Sequence, residues 1–202
     1  MNNALIVQQH PRILVDRIVS RWKGDLIFTY SRYQVARPGF QAVAPRSDVL
    51  RVRACDVTSE WLVNRFTELA PNEEMAWHSW VESKGVGFHI PMIDFLGRPA
   101  PPVLCDLDRA LAAEMDLRSH FVFFDTGRSL HGYCPDLIPE QAWAKYLGQL
   151  LILNEHDRPP VVDTRWVGHA LMRGFTALRW SHNTNRYRAM PTLASVLDPV
   201  GL

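Results

Sequence analysis

A hydroxyl and an imidazole stand two residues apart in Phe124-Asp125-Thr126-Gly127-Arg128-Ser129-Leu130-His131-Gly132-Tyr133. An apolar run, His120 to Phe124, stops at a glycine-containing turn and resumes as a short strand carrying Ser129 and His131. Strand residues alternate faces, so the two side chains are expected to point the same way. With the Arg128 cation beside them, they suit capture of a phosphate chain. The competing reading is a hairpin whose Ser and His merely face solvent, because such turn chemistry is common. His131 then bonds a backbone carbonyl and is structural.

Carboxylates supply the second group of candidates. Asp94 ends the apolar stretch His89-Ile90-Pro91-Met92-Ile93-Asp94, and Asp163 ends Pro159-Pro160-Val161-Val162-Asp163. An acid among apolar neighbours is costly unless it meets a cation or a donor, and a metal ion or a salt bridge removes that cost. Asp106 and Asp108 sit in Val103-Leu104-Cys105-Asp106-Leu107-Asp108. In a strand they share one face; at a helix start they only favour its positive end. The spacing of Leu104, Leu107, Leu111 and Met115 favours the helix.

The third group is a basic turn, Arg179-Trp180-Ser181-His182-Asn183-Thr184-Asn185-Arg186-Tyr187-Arg188. Arginine forks match phosphate oxygens, and an aromatic ring stacks on a base; Trp180 is the nominee for stacking. The alternative is a solvated hairpin tip. His78, His89, His120 and His169 lack comparable company and read as structural. No HExxH or HxxxH spacing points to zinc.

Composition frames these candidates. The chain has 202 residues, 47% hydrophobic and 21% charged, which is ordinary for a globular protein able to bury a sizeable core. A net charge of +1 does not announce a nucleic-acid binder, so only local clustering can carry such a role. Cys55, Cys105 and Cys134 are scattered and odd in number, which reads as reduced thiols in a cytoplasmic setting. Leu5 to Val7 is too short for a secretory signal, and no apolar run approaches the ~20 residues of a membrane span.

The elements that must position these residues follow from periodicity. Ile13 to Val19 reads as a short helix and Asp25 to Tyr33 as a strand. Ala36 to Arg53 reads as loop plus strand. Thr58 or Ser59 is expected to cap a helix running to about Leu69, and Pro71 ends it. Asn72 to Val81 reads as a further helical segment. Gly85 to Leu96 reads as one buried strand, and Leu104 to Met115 as a helix. Phe121 to Phe124 and Leu130 to Tyr133 make a strand pair. Pro139 to Leu153 is a helix with proline at its first position, and Thr176 to Ser181 and Tyr187 to Leu193 are final strands. The order predicts an α+β fold: an RRM-like (ferredoxin-like) antiparallel sheet over residues 85–202 with helices on one face, preceded by a smaller α+β module over residues 1–84. Together they are expected to make one compact domain.

In this order the pieces resemble the catalytic core of the archaeo-eukaryotic primase superfamily, the primase-polymerases, and most closely the bacterial 1D-like group. Ser129 and His131, preceded by Gly127-Arg128, resemble the family's Ser-x-His motif. Asp163 resembles its third acid; Arg179, Asn183 and Arg186 resemble its final basic segment. The paired-acid first motif is reduced: Asp94 has Met92 and Leu96 at the neighbouring same-face positions. Cys105-Asp106-Leu107-Asp108 has the full pairing but leaves little chain before Ser129 for a helix and a strand, so Asp94 is preferred.

The resemblance implies transfer of a nucleoside monophosphate from an NTP or dNTP to a nucleic-acid 3′-OH. It implies Mg²⁺ or Mn²⁺ on Asp94 and Asp163, with His131 catalytic and the phosphates held by Arg128, Ser129, His131, Arg179, Asn183 and Arg186. A DNA or RNA template and partner proteins supplying accessory domains are implied too. The reduced first motif leaves open a catalytically reduced module that binds nucleotide or nucleic acid within a larger defence or mobile-element complex. A phosphoesterase of similar fold, with His131 and His182 as acid and base, is a third class.

Overall fold

A computed structural model describes residues 9–35 and 46–194. The sequence readings at Leu5 to Val7, and at 36–45 within the segment Ala36 to Arg53, fall outside the described residues.

The chain begins with α1 (Ile13–Trp22), then β1 (Ile27–Gln34), β2 (Arg46–Arg53) and a 3-10 turn. Helix α2 (Ser59–Thr67) follows, its first turn capped by the Thr58 hydroxyl accepting from Trp61 N. β3 (Glu73–Ser83) and β4 (Val86–His89) form a hairpin through Lys84-Gly85, and both turn residues have positive φ. Next come β5 (Met92–Asp94), α3 (Pro101–Met115), β6 (Val122–Asp125), β7 (Leu130–Tyr133) and β8 (Ile138–Pro139). Helices α4 (Glu140–Ile152) and α5 (Thr164–Arg173) precede β9 (Ala177–Arg179) and β10 (Thr192–Leu193).

The fold is α+β with antiparallel sheets, compatible with a primase-type core. Two sheets share the strands. The first runs β2-β1-β3-β4-β8, with β9 also paired to β3; the second runs β10-β6-β7-β5. The hairpin β3–β4 and the pairing of β9 with β3 carry the first sheet across the expected division at residues 84 and 85.

Alternation in the second sheet divides its side chains between two cores. Ile93, Phe95, Phe123 and Leu130 pack against α3, α4 and α5 through Leu104, Leu107, Leu111, Tyr146, Leu147, Leu150, Val167 and Ala170. Met92, Phe124 and Tyr133 turn the other way, onto Trp77 and Trp180 of the first sheet and the α1 and α2 side chains Leu14, Ile18 and Leu62. Asp94 and His131 belong to this second face by parity.

Several expectations are corrected. Asn72 to Val81 is a strand, not a helix: β3 is paired along β1 on one edge and to β9 and β4 on the other. Its Glu, Met and Ala residues favour helix, but burial of Met75, Trp77 and Val81 in the middle of a sheet outweighs that propensity. Gly85 to Leu96 is two strands in two sheets, broken at Ile90-Pro91. Proline lacks the N–H a continuous central strand needs, and its carbonyl instead accepts from Cys134 N at 2.9 Å. The proline of Pro139 to Leu153 is the residue before the helix, paired with Phe88. Helix α5 adds to the expected elements, although Asp163 and Gly174 (φ +79) are ordinary start and stop signals around it.

Candidate active site

Asp94 is the middle member of a row of three. On one side it is the register partner of His131 across β5 and β7. On the other, residues 161–163 run antiparallel beside the end of β5. Phe95 bridges Val162, Asp163 N donates to Asp94 O at 2.9 Å, and Leu96 N donates to Val161 O at 2.9 Å. That register sets Asp163 directly opposite Asp94. Directly opposite residues share a face, so His131, Asp94 and Asp163 lie side by side on three adjacent extended segments.

The hydrogen-bond pattern sets the spacing. Phe95 N donates to Leu130 O at 3.1 Å, which makes Asp94 and His131 a non-hydrogen-bonded pair, the kind whose side chains approach most closely. His131 Nε2 lies 3.8 Å from Asp94 Oδ1. Asp163 also caps α5, since its Oδ1 accepts from Arg165 N (2.9 Å) and Trp166 N (3.1 Å).

Burial shapes the chemistry of the row. The Asp94 carboxyl is pushed up to about 8, first by desolvation, then by the nearby Asp163 charge, with the Arg179 guanidinium opposing both. The His131 imidazole is pushed down to about 3 by burial and by Arg179, so it is neutral at neutral pH. His131 Nδ1 is buried with no hydrogen-bond partner among the described residues. Two neighbouring acids beside a ring nitrogen without a partner form a donor set suited to a cation or a donor-rich ligand.

The Gly127-Arg128-Ser129 turn adjoins this row. Ser129 lies just before β7; Thr126 and Ser129 close the turn, with the Thr126 hydroxyl donating to Ser129 O at 2.9 Å and the two hydroxyl oxygens 3.1 Å apart. Arg128 is exposed beside them. Arg179 approaches from β9. It is 5% exposed, its Nη1 donates to Ser181 O and its Nη2 to Ala189 O (3.0 Å), and its guanidinium carbon lies 4.2 Å from the centre of the Tyr187 ring.

The other candidates have different surroundings. The Asn183 side-chain amide donates to Ala70 O (2.6 Å) and Glu73 O (3.0 Å), fastening the basic turn to the start of β3. Arg186 is exposed on that turn. Trp180 is not available to a base: it is fully buried against Trp77, Tyr30 and His10. Asp106 and Asp108 lie beyond the first turn of α3. Asp106 is paired with Arg109. Asp108 is buried and accepts from Phe121 N at 2.7 Å, with His120 Nδ1 2.6 Å from its other oxygen.

Glu74 is a site-supporting residue that the sequence did not reveal. It is fully buried. It accepts from Ser181 Oγ, Asn183 N (3.0 Å), Thr184 N (2.8 Å) and Thr184 Oγ1 (2.7 Å). Met75 N in turn donates to Ser181 Oγ at 2.7 Å. One carboxylate thereby holds the turn that follows Arg179. Nothing local in Asn-Glu-Glu-Met-Ala marks it, because its partners lie more than a hundred residues away.

A family model described as AEP-like, archaeo-eukaryotic primase 1D-like, matches residues 53–192. The chain belongs to this primase family. The match spans every member of the row, the Gly-Arg-Ser turn and the basic turn. No curated protein and no solved structure matches the chain. Membership supports a primase-like nucleotidyltransferase at family level, with binding of nucleotide and nucleic acid. Among the described residues, no helix of this primase-family chain is long and apolar enough to cross a membrane.

Proposed function

We propose that the chain is a divalent-metal-dependent nucleotidyltransferase of the primase-polymerase type, using an NTP or dNTP and a DNA or RNA template. The row Asp163–Asp94–His131 carries this reading. In such a transfer the 3′ oxygen bonds the α-phosphorus, the bond to the next phosphate breaks, and pyrophosphate leaves with that electron pair. Mg²⁺ or Mn²⁺ fits the donor set: both prefer oxygen, and a cation held by Asp94 and Asp163 would offset the burial and the Asp163 charge that raise the Asp94 carboxyl. When bound, it neutralises charge on the triphosphate and polarises the attacking hydroxyl. Neutral His131 offers a phosphate oxygen one N–H. Arg128 and Ser129 flank the β/γ phosphates, Arg179 adds positive field from β9, and Arg186 faces the triphosphate or template. Partner proteins supply accessory domains, and the setting is cytoplasmic.

A second reading has its own observation. Met92 and Leu96 occupy the positions beside Asp94, and no group of three His, Cys, Asp or Glu residues able to hold a metal ion is found among the described residues. A catalytically reduced module that binds nucleotide or nucleic acid without transfer fits that count. Incorporation of labelled nucleotide on a primed template, with Mg²⁺ or Mn²⁺, separates the two. Transfer abolished by Asp94→Asn and by His131→Ala is expected. Nucleotide binding with no incorporation by the wild type would establish the module instead.

A further inference from the structure

Two turns meet at Gly127. Its φ is +89, and a Cβ placed there would lie 2.7 Å from Arg188 Cβ and 3.1 Å from Ala189 N. The Gly127-Arg128-Ser129 turn is therefore packed on the chain at 188–189 with no room for a side chain. The contact is held from both sides. Gly127 N donates to Asp125 Oδ1 at 2.6 Å, and Arg98 Nη2 donates to Asp125 Oδ1 (2.7 Å) and Gly127 O (3.2 Å). Across from it, Arg179 holds Ala189 O, and β10 pairs Thr192 with Asp125.

Arg128 and Arg188 flank this contact, one on each turn. Both are exposed, and neither has a hydrogen-bond or ion-pair partner among the described residues. Arg98, by contrast, is paired with Asp125. The Gly127 contact sets Arg188 beside the neighbour of Arg128, and two exposed guanidiniums that share no carboxylate can fork onto one anion.

We propose that Arg188 is a second phosphate-binding cation, acting with Arg128 as a clamp across the Gly127 contact on the polyphosphate of a nucleoside triphosphate. The proposal deepens the nucleotidyl-transfer reading and takes its ligand from it. A polyphosphate is favoured over a nucleic-acid strand by position. Arg128 lies on the hairpin turn that feeds directly into His131, and Leu130 of that hairpin bonds Phe95, the neighbour of Asp94. A nucleotide whose α-phosphate sits at the acids therefore extends its remaining phosphates toward this turn.

The test measures binding of ATP, ADP and AMP by calorimetry, with Mg²⁺, to the full chain and to Arg128→Ala, Arg188→Ala, the double variant and Gly127→Ala. Arg188→Ala is expected to weaken ATP about tenfold and AMP scarcely, as loss of one charge-assisted contact to the outer phosphates should. The double variant should lose less than the product of the two single losses, since one jaw alone holds poorly. Gly127→Ala, checked for an intact melting transition, should weaken ATP as well. ATP affinity unchanged in Arg188→Ala overturns the clamp. So does a wild type that binds no ATP, or an Arg188→Ala protein that loses single-stranded oligonucleotide but keeps ATP. Incorporation assays on the same proteins keep the two ideas apart. Arg188-dependent ATP binding without transfer retains the clamp and sinks the transferase; transfer with Arg188-independent ATP affinity does the reverse.

Discussion

Asp94 and Asp163 stand opposite each other on neighbouring extended segments, joined by Asp163 N donating to Asp94 O at 2.9 Å. The backbone bond that stabilises the pairing also forces two acids onto one face. Burial, with that neighbouring acid second, keeps Asp94 protonated up to about 8.

Asp94→Asn should therefore separate stability from activity. Removing the strained acid is expected to raise metal-free stability above pH 8 by about 1–2 kcal/mol. Nucleotide transfer should fall at least ~100-fold. Urea midpoints and incorporation rates measured on one preparation check both. A variant that is both less stable and fully active would contradict the arrangement.

Asp108→Asn tests the competing acid pair. Its carboxylate accepts from Phe121 N and contacts His120, so the change should cost about 1–3 kcal/mol of stability. Metal-dependent activity per folded molecule should stay at the wild-type level. Loss of that activity in a folded Asp108→Asn protein would move the metal site to α3.

Glu74→Ala should be severe. It strands four donors on the Ser181–Thr184 turn, a loss of about 3 kcal/mol or more. Thermal melts would show it. Limited proteolysis should then cut first near residues 181–188, where the turn has lost its anchor.

Buried histidines set the acid limb of stability. Burial lowers His10 and His89 to about 4, and His131 to about 3. Between those values and 6.5 the unfolded chain takes up protons that the folded imidazoles refuse, so stability drops as pH falls through that window. Asp94 runs the other way: its contribution is full near pH 4 and shrinks as pH rises toward 8. Urea unfolding from pH 4.5 to 7 should show a shallower slope for His89→Gln than for the wild type. Equal slopes would mean that His89 is reached by protons in the fold.

Local signals carried much of this in advance. Thr58 before α2, the apolar stripe of α4 and the glycine-bearing turn before His131 each act through neighbours a few residues away, and each is legible along the chain. The same reasoning failed at β3. Glu73-Glu74-Met75-Ala76 has helical propensity, and only strands on both edges explain why it is extended. It failed again at Pro91, where one apolar run serves two sheets.

Residue chemistry and family order came from the chain itself: which acids sit among apolar neighbours, which hydroxyl and imidazole share a short strand, and where positive charge gathers. Tertiary structure alone decided which of them meet. Cross-strand register set Asp163 beside Asp94, packing at Gly127 joined two basic turns, and Glu74 reached across the chain to hold one of them. Such contacts depend on pairing between distant segments, whose register is selected by burial of a whole face and so is not written in any short stretch.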